Sequence, residues 1–282
     1  MSLTAIDLSR IPAPDALVVV DHGAKVAEMK AQLVAARPDL APALALESEP
    51  LVKLIQAWAY EAVLKSAEIN AGVRAMLLTE ALGADLDNIA ANHLVQRLPG
   101  EGDEAFRQRV ALGPEAWSTA GPVGAYLFHA KSASPLVSDV AVSSPTPGVV
   151  RVVVLSSAVD GVADAALLAI VSAALNVEEV RPLTDQVEVV SAAVAAFDVT
   201  AVLRVLPGPD AGPVATTAAA AVRAYAADRR KLGRGVTLDG LKASLMRPGV
   251  ERVELAEPLA DIIAQDEVAP VLGDVTLTVV GL

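Results

Sequence analysis

The sequence predicts an α+β protein, a helical N-terminal half followed by tandem ferredoxin-like α/β sandwich modules. Three observations predict it. Apolar residues recur at helical spacing as far as about Ala133, the period changes to two at Val137, and from Val149 onward short strand-like runs alternate with helical ones. The 282 residues suffice for two or three compact units. The patterns divide them into an N-terminal docking segment with a short helix (1–45), a helical bundle region (46–136), a first α+β module (137–196) and a second (197–282). The modules are expected to meet near Ala196 or within the second strand pair.

Taken in order, the first residues are broken by prolines and carry LVVV, Leu17–Val20, an apolar run suited to docking on something larger. A helix follows over Ala24–Ala36 and stops at Arg37-Pro38, because the residue before proline is pushed out of helical backbone. The longest helical pattern runs from Leu51 to Leu82 with Gly83 as its stop. Leu51, Leu54, Ile55, Trp58, Ala62, Ile69, Val73, Met76 and Leu77 form its stripe, while Lys53, Gln56, Glu61, Lys65 and Glu68 lie mostly off it. Asp85–Gln96 reads as a second helix, Arg97–Asp103 as a loop, and EAFRQRVAL as a third helix. In WSTAGPVGAYLFHAKSA, Ser118 or Thr119 is expected to cap a helix through Tyr126 and His129.

VSDVAVSSP and VVRVVVLSS read as strands joined at Thr146-Pro147-Gly148. Next come a helix at Ala163–Leu175, strands at Val187–Ser191 and Asp198–Leu206, helices at Val214–Lys231 and Leu238–Met246, and strands at Glu251–Leu255 and Val275–Val280. Loops at Ser143–Gly148 and Pro207–Pro213 are expected to hinge between persistent cores, and residues from Val137 onward to fold without the first hundred or so.

Composition narrows the function. With 34 acidic against 22 basic residues the formal charge is -12, which disfavours nucleic acid as a partner. Only 3% of residues are aromatic, leaving little surface for stacking bases. No cysteine is present, so disulfides, thiolate metal sites and thiol nucleophiles are excluded. AALLAIVSAAL, Ala165–Leu175, is too short to span a membrane, and the N-terminus lacks the basic and apolar regions of a secretory signal.

No motif announces catalysis or a cofactor. Gly233–Gly235 follows a helix, the wrong context for dinucleotide binding, and is expected to be a turn. Pro207–Pro213 lacks the Lys-Ser/Thr ending of a phosphate loop. His22, His93 and His129 are dispersed, with one expected at the surface and two partly buried, so no metal site is expected. Arg107 and Arg109 point to different helix faces and are expected to pair with neighbouring acids. Arg181 and Asp185, on either side of Pro182, are expected to pin a corner before a strand that turns Val187 and Val189 to one side.

Several segments, in this order, resemble the baseplate J family of contractile-tailed phages: LSRIPAPD (8–15), LESEPLVKLIQAWAYE (46–61), GADLDNIA (83–90), GDEAFRQRV (102–110), STAGPVGAYLFHAKSA (118–133), VSDVAVSSPTPGVVRVVVLS (137–156), VRPLTDQVEV (180–189) and PGVERVEL (248–255). The resemblance implies a baseplate wedge subunit in the virion tail, assembled in the host cytoplasm, with no enzymatic activity and no cofactor. It implies pairing with a second copy and association with other wedge proteins through N-terminal helices, which makes 46–136 a wedge-bundle region. C-terminal domains would join wedges into a ring around the central hub and spike. The particle is a phage or a phage-derived bacteriocin.

The stripe on the long helix covers more turns than a small neighbour would bury, so Leu51, Leu54, Ile55, Trp58, Ala62 and Ile69 form the expected partner interface, with Trp58 as its anchor. The alternative function is a small-molecule-binding regulator built on the paired modules, which requires a polar cleft between them.

Overall fold

A computed structural model describes residues 8–118, 121–206 and 211–281. Two compact units divide the chain after Gln96.

The first unit is helical. α1 (His22–Ala36) starts where Asp21 accepts a bond from the Ala24 amide at 2.9 Å and ends at Arg37-Pro38. A short α2 (Ala41–Leu44) leads to α3 (Pro50–Ala75), whose proline at the first helical position has no amide to leave unpaired. Leu44, Val52 and Ile55 are buried against Val26, Met29, Leu33 and Val34 of α1. α3 stops seven residues before the expected Leu82. The backbone turns at Met76–Ala81, where Arg74 and Glu80 pair at 3.2 Å. Gly83, expected to end α3, instead opens α4 (Gly83–Asn92) with φ +51. α4 falls short of Gln96 because Leu94 adopts φ 56. The Val95 amide then donates to the Ala90 carbonyl and the Leu94 amide to that of Ala91, a Schellman closure without its usual glycine.

The second unit opens with α5 (Asp103–Ala111) and α6 (Val123–Ala133). Ser118 does not cap α6: it closes the short 3-10 turn Gly113–Trp117, and Pro122 precedes the helix. Thr119 lies outside the described residues. β1 (Val137–Thr146) and β2 (Val149–Ser156) form a hairpin turned at Gly148, φ +83. α7 (Ala165–Leu175), capped by Asp164, crosses over to β3 (Gln186–Ser191), which lies parallel to β2 in the order β1-β2-β3.

β4 (Ala193–Val205), α8 (Ala211–Arg229), α9 (Leu238–Leu245), β5 (Val250–Glu257) and β6 (Val268–Gly281) make the second module, with sheet order β5-β4-β6. Each module is thus a mixed three-stranded sheet whose central strand has one antiparallel and one parallel neighbour. The class is α+β.

The two sheets are buried differently. Val152 and Val154 of β2 face Tyr126 and Ala130 of α6 and Leu167, Val171 and Leu175 of α7, while Val153 and Leu155 on the opposite face meet Ala192 and Ala269. β2 therefore reads as a continuous apolar run because both its faces are covered. In the second sheet Val199, Ala201, Leu203 and Val205 face α8 and α9, and the other face carries Arg204, Glu254, Thr276 and Thr278.

Only Ala192 separates β3 from β4. Its amide donates to the Val154 carbonyl in the first sheet, and the next amide, of Ala193, donates to Glu267 beside the second. Asp139 accepts from Lys131 at 2.9 Å and from the Leu232 amide at 3.1 Å, and Arg230 donates to the Ser156 and Ala158 carbonyls. The modules are thereby clamped at several points. Ser143–Gly148, expected to hinge between cores, is instead the end of one hairpin.

Candidate partner interface

Burial splits the expected interface row on α3 into two. Ile55 is buried, and Leu51 and Ala62 are half-buried, Leu51 packing with Val52 and Ile55 beside α1. Leu54 (55% exposed), Trp58 (69%) and Ile69 (59%) face outward with Met76 (79%). Intervals of four and eleven residues return to the same helix face, so Leu54, Trp58 and Ile69 form one row on α3, and Met76, the residue just past its end, continues it. Between α1 and α3 a groove of about 380 Å³ is lined by Met29, Trp58, Glu61, Ala62 and Lys65.

Sequence periodicity missed three contributors. Tyr60 and Leu64 are also exposed, on another side of α3. Asn70 is buried at 8%; its amide side chain accepts from the Val18 amide at 2.9 Å and donates to the Val18 carbonyl at 2.8 Å. That pair of bonds holds the LVVV segment on α3 by its backbone, leaving the Val18 and Val19 side chains exposed. The available signal was a polar residue eleven positions, about three turns, from Ala59 on the same buried face of α3, since burying an amide costs stability unless it is paired.

The polar groups elsewhere are occupied structurally. Arg109 and Glu101, each with a side chain 4% exposed, form a two-pronged ion pair at 2.8 and 2.6 Å, and Glu101 also accepts from the Leu98 amide at 2.9 Å. Arg107 pairs with Glu104 at 2.6 Å, and Arg97 with Asp103 at 2.7 Å while lying over the Phe106 ring. Loss of one partner of a buried pair such as Arg109–Glu101 costs about 3–5 kcal/mol, because it strands the other charge.

At the corner, Asp185 accepts from the Tyr126 hydroxyl at 2.8 Å, tying the start of β3 to α6. Burial first, and then that bond to a carboxylate, raise the Tyr126 pKa. Arg181 is exposed and acts on Tyr126 through its charge, while the hydrogen bond at the corner is made by Asp185.

The histidines stand as the sequence suggests, His22 exposed and His93 and His129 half-buried. His22 donates to the Gln56 carbonyl at 3.0 Å, and burial lowers the His129 pKa. Among the described residues no group of acids and histidines is arranged to hold a metal ion, and no helix is long and apolar enough to cross a membrane. A polar cleft of the second unit, about 240 Å³, is lined by Glu101, Arg109, Lys131, Ser134, Arg230 and Lys231 among others. Drug-sized ligands usually occupy about 300–1,000 Å³. Arg109, Lys131 and Arg230 already have protein partners.

Ordered cores, paired polar groups and a long uncovered apolar row define a protein built for assembly. Comparison with known proteins specifies the assembly. The Baseplate J-like N-terminal domain matches residues 47–99, the central domain 118–191 and the C-terminal domain 197–278. Baseplate protein J of Escherichia phage P2 is 41% identical over 278 residues, covering 92% of each chain. The chain belongs to the baseplate J-like family, structural proteins of the phage tail baseplate.

Proposed function

We propose that the chain is a wedge subunit of the baseplate. It pairs with a second copy and with other wedge proteins through the outward row of α3, and its second unit joins wedges into a ring around the hub and spike. It works by contact alone, without catalysis, cofactor or nucleic acid. The observation that carries this is the row Leu54, Trp58, Ile69 and Met76, four large apolar side chains held in water along one face and just past the end of α3. Side chains of this size gain about 1.5–3 kcal/mol each on full burial. A surface that large favours a partner over solvent.

Trp58→Ala tests the proposal. Trp58 is exposed in the isolated chain, so its loss leaves folding intact. As an interface anchor its truncation costs about 2 kcal/mol or more, roughly a 30-fold loss of affinity. The variant is expected to melt like the parent and to fail to co-purify with baseplate proteins; undiminished co-purification overturns the interface.

A further inference from the structure

The connection between β5 and β6, residues 258–267, displays two large apolar side chains on a fixed backbone. Leu259 is 88% exposed and Ile263 76%. Neither belongs to a loose loop. The Val236 amide donates to the Ile262 carbonyl at 3.0 Å, and the Ile262 amide returns a bond to Val236 at 2.8 Å. The Gly233 amide donates to Gln265 at 3.0 Å, and Asp261 accepts from the Leu238 amide at 2.8 Å. Gly235 permits this closeness, for a Cβ there would stand 2.5 Å from the Ile262 carbonyl oxygen. Ile262 turns inward to the second core, so its neighbour Ile263 is turned out by the same anchoring.

The loop's own charges have one sign, although Lys231 and Arg234 lie on or beside the segment to which it bonds. From Val253 to Leu282 the sequence contains no lysine, arginine or histidine, but it contains Glu254, Glu257, Asp261, Asp266, Glu267 and Asp274. Asp261 is used as a cap and Glu267 lies 3.8 Å from Arg151, whereas Glu257 and Asp266 border the loop in solvent.

We infer that residues 258–267 are a pre-organised docking finger for a different baseplate protein, one offering a shallow apolar pocket rimmed by lysine or arginine. This rests on the baseplate function proposed above. A rigid loop loses little entropy on binding, and acidic residues around an apolar tip select a basic rim. The same charge disfavours an anionic lipid surface, and the acidic residues of two such loops would repel one another.

The absence of native cysteine makes the test clean. Leu259→Cys and Ile263→Cys each introduce the single thiol of the chain. Maleimide labelling is compared in the free chain, in intact purified tails and in the same tails after denaturation, which report the total thiol. Labelling in intact tails is expected to be at least about tenfold slower than in the free chain, as the core of an interface requires. A thiol-to-amine cross-linker on Cys-substituted tails is expected to join this chain to a lysine of another baseplate protein. Equal labelling in tails and free chain overturns the finger while leaving the baseplate function standing. A cross-link between two copies of this chain overturns the choice of partner. Absence of the chain from purified tails overturns both.

Discussion

Residues 4–96 and 97–282 solve the same packing problem in opposite ways. The first unit buries a small core between α1 and α3 and leaves an apolar row of comparable length in water. The second covers both faces of its first sheet, one with helices and the other with its neighbouring module. Backbone pairing is what separates them. A strand has two faces and two edges to satisfy, which forces β2 and β4 to recruit distant chain; a helix satisfies its backbone internally and can stand with half its surface unclaimed. The helical unit therefore keeps a whole helix face open to solvent, while the second unit ties its two modules to each other.

The largest test of that contrast is where the second unit may be cut. A fragment of residues 97–282 retains α6 and is expected to melt in one cooperative transition. A fragment of residues 137–282 lacks Tyr126 and Ala130, exposed at only 2% and 0%, and so exposes the helical side of the first sheet. Removing a buried aromatic alone costs about 3–5 kcal/mol, so the shorter fragment is expected to be molten or aggregated. Equal cooperativity of the two fragments, measured by thermal unfolding, places the boundary of the self-sufficient fold after α6.

A smaller effect separates the two residues at the corner. Tyr126→Phe keeps the ring and deletes only the bond to Asp185. It is expected to cost about 1–2 kcal/mol, because a half-buried carboxylate loses its donor. For a domain of this size that lowers the melting temperature by roughly 3–6 °C. Arg181→Ala, at an exposed position, is expected to change stability by less than about 0.5 kcal/mol. Similar losses for both variants assign the corner to the arginine as well.

Much of this architecture was legible from periodicity. The change of period at Val137 marks the start of β1, and the spacing of Arg107 and Arg109 anticipates their ion pairs. Other features depend on contacts that local pattern does not encode. The apolar run Met76-Leu77-Leu78 continues the helical stripe although the backbone turns there, and Leu94 gives no sign that it will adopt a left-handed conformation. β4 starts at Ala193 and β6 at Val268, well before the expected Asp198 and Val275. The parallel pairing of Ala193 with Val268 supplies strand order that alanine-rich sequence does not suggest. On α3, spacing tells which residues share a side. It does not tell which of two neighbouring strips α1 covers, and so Ile55 and Trp58 appeared equivalent although one is buried and the other is 69% exposed.

The smallest expected effect is an acid sensitivity confined to the second unit. His129 lies half-buried on α6, edge-on to Phe128 with ring centroids 5.4 Å apart, and burial lowers its pKa. The sign follows from proton binding. With the folded pKa below the unfolded value of about 6.5, the unfolded chain binds the proton more readily between the two. The contribution of neutral His129 is thus fully present above about pH 6.5 and is lost as pH falls through that value toward the folded pKa. His129→Gln removes the titration while keeping a polar side chain. Between pH 7.5 and pH 5 the parent is expected to lose more melting temperature than His129→Gln, the carboxylates contributing equally to both. An identical change in the two proteins places the imidazole in water, and with it the outer side of α6, which would then be a second uncovered helix face rather than part of the sealed unit.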